Sequence, residues 1–92
     1  MDDLTVDVQA TPNVNALKFV VNRRLTEGRS RTFRTAAEAA EVPYAQQLLQ
    51  IPGVVQVFVL NDFVTITRDP QADWNAIIGP AEEILRTSLP SA

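Results

Sequence analysis

The chain contains no cysteine and no histidine among its 92 residues, and it has only three glycines. Cysteine and histidine are the side chains that bind zinc, copper and iron best, so their absence argues against a resident metal. The same absence excludes Ser-His-Asp and Cys-His catalytic arrangements. Three isolated glycines cannot form a phosphate-binding loop or a dinucleotide fingerprint. We therefore expect a protein without a metal, a cofactor or enzymatic activity.

Long apolar runs are also missing. The longest, Val54 to Leu60, is interrupted by Gln56, and it is far shorter than the roughly 20 residues that cross a bilayer. The amino terminus begins Met1-Asp2-Asp3, unlike the basic start of a secretory signal. Secreted domains of this size usually carry disulfides, which this chain cannot form. These features predict a cytoplasmic protein with no membrane association.

Charge is distributed unevenly along the chain. Eight basic and eleven acidic residues give a net charge of −3, so a general attraction to nucleic acid is not expected. One stretch, residues 18–34, nevertheless holds six basic side chains against the single acid Glu27: Lys18, Arg23, Arg24, Arg29, Arg31 and Arg34. This basic segment has two interpretations. It binds an acidic partner or phosphate, or its arginines only keep a loop and an edge strand solvated.

Alternating apolar and polar residues predict the strands. Four strands are predicted with a short fifth at an edge, over residues 4–10, 16–21, 54–60, 63–68 and 31–34. The turn residues Thr11–Asn15 join the first two strands into a hairpin, and the pair Asn61-Asp62 joins 54–60 to 63–68. Neighbouring strands are therefore expected to be antiparallel.

Two helices complete the predicted fold. The first begins at Pro43 and ends near Gln50, and the last begins after Asp73, which is a good N-cap residue. Apolar spacing continues across Gly79-Pro80, which predicts one helix kinked at Pro80. The element order predicts an α+β two-layer sandwich, an antiparallel sheet of four to five strands with two helices packed on one face. We expect a single domain over residues 1–92.

The second hairpin indicates which sheet face is buried. With Leu60 opposite Phe63, one face is purely aliphatic and is predicted to join the core: Val55, Val57, Val59, Val64 and Ile66. The other face mixes large apolar side chains with Gln and Thr. Exposed groups of this kind are typical of protein interfaces. A surface that stacks the bases of single-stranded nucleic acid would need basic residues between its aromatic ones. The remaining alternative to a protein interface is that a terminal segment or a second copy of the chain covers this face.

Several motifs occur along the chain in a characteristic order. They are Thr11–Phe19, Pro43–Leu48, Ile51–Val54, Val57-Phe58 with Asp62–Thr67, and Trp74 with Pro80. Together they resemble the N-terminal domain of Nfu (NifU-like) iron–sulfur scaffold proteins. In longer relatives this α+β domain precedes a module whose Cys-x-x-Cys pair holds the cluster. The resemblance implies a stand-alone recognition or assembly domain without cluster ligands of its own.

The matched positions also imply where a partner binds. Asn13, Asn15 and Lys18 are candidates for a polar binding edge, and Phe58, Asp62 and Phe63 are candidates for a docking face. The two asparagines have a simpler interpretation as residues that shape the turn. The complete set of candidate partner-binding residues is Asn13, Asn15, Lys18, Arg23, Arg24, Arg31, Arg34, Phe58, Leu60, Asp62 and Phe63.

The hypothesis from the sequence is a non-enzymatic accessory domain that docks an iron–sulfur assembly factor or client protein. The alternative is a nucleic-acid or phosphate-binding module that uses the basic segment 18–34. Salt dependence separates the two, because binding through phosphate contacts weakens steeply as salt is raised.

Overall fold

Two hairpins and a short edge strand form one antiparallel sheet in the computed structural model, which describes residues 4–26 and 28–88. The strands are β1 (Val6–Ala10), β2 (Ala16–Val21), β3 (Arg31–Phe33), β4 (Val54–Leu60) and β5 (Phe63–Arg68). Their order across the sheet is β1-β2-β5-β4-β3. The pairing of β2 with β5 joins the two hairpins, so β2, β5 and β4 are interior strands and β1 and β3 are the edges.

Two helices, α1 (Pro43–Leu49) and α2 (Ile78–Ser88), pack against the sheet and against each other. The most deeply buried large side chains come from both layers: Phe19, Leu48, Val57, Val59, Val64, Ile66, Ile77 and Leu85. The predicted α+β sandwich is therefore confirmed, with five strands and with Arg31–Phe33 as the short edge strand. No helix within the described ranges is both long enough and apolar enough to cross a membrane.

The second hairpin has the predicted register, with Leu60 opposite Phe63 and Val57 opposite Ile66. The predicted core position of Val55 is wrong. A bulge shifts the register between Val54 and Gln56, so Val54 turns into the core at 9% exposure and Val55 turns outward at 45%. One extra residue in a strand reverses the faces beyond it, and simple alternation cannot reveal where this happens.

The last helical segment also differs from its prediction. Asp73 caps a short 3-10 turn over Trp74–Ala76 by accepting a hydrogen bond at 2.9 Å from the Asn75 N–H. The helix α2 begins afterwards at Ile78, so Pro80 lies in its first turn. The first N–H groups of a helix have no partner within it, and proline there breaks no hydrogen bond. The predicted single helix kinked at Pro80 is therefore wrong.

Tyr44 is the residue from which we expect a loss of folding stability at alkaline pH. It lies buried in the first turn of α1, and burial raises the pKa of its phenol above 10.0, with the Arg31 guanidinium acting in the opposite direction. The folded protein thus keeps the Tyr44 proton to higher pH than the unfolded chain does. Its contribution to stability is constant below the unfolded pKa and falls as the pH rises toward the folded pKa.

We expect Tyr44→Phe to lose less stability than the wild type when the pH is raised above about 10. Urea unfolding at a series of pH values measures this difference. Phenolate absorbance reports Tyr44 alone, because the chain has one tyrosine. If the free energy of unfolding falls equally with pH in the two proteins, Tyr44 does not cause the loss of stability at alkaline pH.

Candidate protein-docking face

The sheet face turned away from the core carries rows of side chains that run across the strands. One row joins Val20 of β2, Phe63 of β5 and Leu60 of β4, which are paired in register. We call these three residues the apolar row; each is partly exposed. The next row joins Lys18, Thr65 and Phe58 in the same way. The predicted mixed face is thus one continuous surface, which we call the open face.

Phe58 and Phe63 are diagonal neighbours on the open face, with ring centroids 6.2 Å apart and planes tilted by 38°. This spacing is within the range in which aromatic pairs attract. Lys18 places its Nζ 4.3 Å from the centroid of the Phe63 ring, a cation–π arrangement. Three candidate residues, Lys18 from the first hairpin and Phe58 and Phe63 from the second, therefore form one cluster, an apolar surface with a cation over one of its rings.

A second cation lies on the β3 side of this cluster. Arg34 follows β3 and donates from its Nε to Oε1 of Gln56 at 3.3 Å. Its backbone N–H donates to Oε1 of Glu38 at 2.6 Å. The same carboxylate accepts from Thr35 N–H at 3.2 Å, while Thr35 Oγ1 accepts from Glu38 N–H at 3.1 Å. These reciprocal Thr35–Glu38 bonds have the pattern of a capping box, although a turn and not a helix follows, and they fix the chain next to Arg34 where it leaves the sheet.

Asn13 and Asn15 shape the first hairpin turn. Asn13 accepts a hydrogen bond on Oδ1 from Asn15 N–H at 2.9 Å, and Asn15 accepts one on its carbonyl oxygen from Arg68 N–H at 2.7 Å. The turn adjoins Ala16, whereas Val20 lies near the far end of β2. The structure therefore places Lys18 in the aromatic cluster and the two asparagines in a local turn, and it does not bring the three together.

Asp62 and two of the arginines line an open cleft of about 440 Å³ beside the β4–β5 turn. The cleft is bounded by Val21, Asn22, Arg23, Arg24, Asn61 and Asp62. Asp62 accepts from Val21 N–H at 2.8 Å through its backbone, and Asn61 accepts from Leu25 N–H at 2.5 Å. Asn61 adopts a positive φ of 54° in the turn. Acidic and basic side chains thus share this cleft, so it does not form a purely basic pocket.

Arg31 lies on the opposite side of the sheet from Lys18 and Arg34. It pairs with buried Val59 and packs its guanidinium 5.1 Å from the ring of Phe33, which faces the core. The basic segment 18–34 is therefore divided between both faces and the cleft, and it does not form one basic surface. Within residues 4–26 and 28–88, no three His, Cys, Asp or Glu side chains cluster as metal ligands would.

Val20 belongs to the open face although it is absent from the sequence-based candidates. Its position on the Lys18 side of β2 follows from alternation, but its neighbour Phe63 becomes known only from the β2–β5 pairing.

The chain is thus a small α+β sandwich whose sheet has one covered face and one amphipathic open face. Residues 6–92 match the family model described as scaffold protein Nfu/NifU N terminal. The chain belongs to this family, which confirms the resemblance seen in its motifs.

Curated relatives share the same region. The chain is 41% identical over 73 residues to the human protein named NFU1 iron-sulfur cluster scaffold homolog, mitochondrial, with 78% of this chain aligned. It is 33% identical over 72 residues, also 78% of this chain, to NifU-like protein 4, mitochondrial, of Arabidopsis thaliana. The aligned region covers only 29% and 25% of these two relatives.

Solved structures have the same fold. The solution structure of a NifU-like protein from Saccharomyces cerevisiae is similar with a TM-score of 0.78 and 31% identity, covering 90% of this chain and 76% of that one. The crystal structure of protein SAV1430 from Staphylococcus aureus gives a TM-score of 0.80 at 19% identity, covering 91% and 99% of the two chains. The second similarity concerns the fold alone.

Proposed function

We propose that this member of the Nfu/NifU family is a non-enzymatic interaction domain that docks a protein of iron–sulfur assembly, either an assembly factor or a client. The docking surface is the open face, and its centre is the cluster of Lys18, Phe58 and Phe63. The observation that carries the proposal is the aromatic pair, 6.2 Å between ring centroids, on the sheet face that does not join the core.

The chain supplies no thiolate or imidazole, because it has no cysteine and no histidine. Iron–sulfur clusters are held mainly by cysteine thiolates, with histidine in some centres. In the proposed complex, any cluster is therefore cargo held by the partner's side chains, and this chain contributes recognition. The relatives' printed names, which describe an iron–sulfur cluster scaffold homolog and a NifU-like protein, support this choice of partner class.

We propose one domain over residues 1–92 that acts in the cytoplasm. The human and Arabidopsis relatives are named as mitochondrial, so cell fractionation with an antibody to the native protein decides between the two compartments.

The test is binding to purified iron–sulfur assembly factors and client proteins of the same organism, measured by isothermal titration calorimetry. We expect the variant Phe58→Asp/Phe63→Asp to bind at least about 100-fold more weakly than the wild type, since central aromatic anchors dominate interface energies. Circular dichroism and thermal unfolding establish that the variant is folded.

The control is Val14→Asp, which introduces the same acidic residue at an apolar position of the first hairpin turn. The Val14 side chain is 77% exposed there. This variant should bind like the wild type. If the double variant binds a partner as tightly as the wild type does, the open face is not the docking surface.

A further inference from the structure

We infer that the segment that docks on the open face is a helix with an apolar stripe and acidic residues along one edge of that stripe. This inference rests on the proposed function and specifies the chemistry of the partner. Three observations carry it: the position of the apolar row in the sheet, its length, and the side on which cations adjoin it.

The position of the apolar row excludes strand addition at this site. Val20, Phe63 and Leu60 belong to β2, β5 and β4, the three interior strands of the sheet. Val20 and Phe63 are paired with neighbouring strands on both sides, and Leu60 is paired with Phe63 one residue past the end of the β3–β4 pairing. An added strand needs a free edge, which Val20 and Phe63 do not offer. A partner must therefore pack its side chains onto the face. An α-helix is the element that commonly forms a second layer on a sheet face.

The length of the apolar row suits one helix face. Two strand spacings separate Val20 from Leu60, which is about 10 Å at roughly 4.8 Å per strand. A helix that rises about 1.5 Å per residue presents apolar side chains at i, i+3 or i+4, and i+7 over the same distance. Three apolar residues of one helix thus match the three members of the row.

Lys18 and Arg34 lie on the same side of the apolar row, whereas on its other side Arg23 and Arg24 share the cleft with Asp62. Lys18 belongs to the adjacent row, with its Nζ 4.3 Å from the Phe63 ring centroid. Arg34 lies one row further, bonded to Gln56. At the β1 end of the apolar row itself stands Asp7, opposite Val20, where it accepts from Gln9 Nε2 at 2.8 Å. Carboxylates are therefore favoured along the Lys18 and Arg34 side and disfavoured at the Asp7 end.

The probe is a displayed library of helical peptides of about 14 residues, four turns. The stripe positions vary among Leu, Ile and Phe, and both edges vary among Glu, Gln and Lys. We expect selection on the wild type to enrich Glu on one edge at least tenfold over Lys. Selection on Lys18→Glu/Arg34→Glu should enrich Lys on that edge instead. The control Arg29→Glu makes one of these charge changes in an exposed loop and should leave the Glu preference unchanged.

The outcomes separate this inference from the proposed function. Binders that are lost in Phe63→Asp but show no preference for Glu would overturn the acidic edge and leave the docking face standing. A library that yields no binder, or binders rich in Lys, would overturn the inferred helix or its charge. The titrations with assembly proteins would still decide the docking function.

Discussion

Replacement of Phe19 by alanine should lower the free energy of unfolding by about 3–5 kcal/mol, the usual cost of removing a large aromatic side chain from a packed core. Phe19 is completely buried on β2, between Val8 of β1 and Val64 of β5. Domains of this size have a total stability of about 5–15 kcal/mol. The variant should therefore unfold at a temperature at least about 12 °C lower than the wild type, as measured by calorimetry.

The matched control is Phe58→Ala, because Phe58 is also a strand phenylalanine but lies on the open face. Its loss should cost about 1 kcal/mol, mainly the aromatic contact with Phe63. The two variants should also differ in binding. Phe19→Ala keeps partner affinity wherever it is folded, whereas Phe58→Ala weakens it. Equal destabilisation by both substitutions would mean that the open face is covered in the folded protein.

Replacement of Gly53 by alanine should destabilise the protein by about 2–4 kcal/mol. Two separate terms contribute: a left-handed backbone conformation and a steric overlap. Gly53 has a φ of +96°, and a Cβ placed on it would lie 2.6 Å from Cβ of Ala72. The backbone there cannot move away freely, because the Gly53 carbonyl accepts a hydrogen bond from Asp69 N–H at 2.7 Å. Urea unfolding measures the loss.

Substitutions at the other two glycines distinguish the cost of the backbone conformation from the cost of the steric overlap. Gly28 has a φ of +82° with no atom within 4 Å of an added Cβ, so Gly28→Ala should cost only about 1–2 kcal/mol for its conformation. Gly79 lies in α2 with open space around it, and Gly79→Ala should stabilise the helix by up to about 1 kcal/mol. If Gly53→Ala is as stable as Gly28→Ala or more stable, the predicted steric overlap with Ala72 is wrong.

The local features of the fold could be predicted because they depend on neighbours in the sequence. Alternation placed the strands, and the two-residue turn set the register of Leu60 against Phe63. Asp73 was predicted as a cap and indeed caps the 3-10 turn. The bulge at Val55 and the start of α2 at Ile78 could not be predicted in this way. Both depend on how side chains fit the opposite layer, which no local pattern records.

The candidate site likewise has one part that the sequence predicts and another that it does not. Phe58, Leu60 and Phe63 were found from one hairpin, because a tight turn brings its two strands together whatever the rest of the chain does. Arg31 was grouped with Lys18 and Arg34 by proximity in the sequence, but the strand directs alternate residues to opposite faces. Val20 joined the site only through the β2–β5 pairing.

The sequence by itself determined which metal-binding side chains this chain lacks. A chain without cysteine or histidine has no thiolate or imidazole to offer a metal, in any fold. Its turn residues and alternation likewise determined the two hairpins. Only the tertiary structure decided which side chains act together, because it joined β2 to β5 and so brought Lys18 and Val20 beside Phe63. Contacts between residues distant in the chain depend on the packing of all elements at once, and the contacts of Lys18 and Val20 with Phe63 are of this kind.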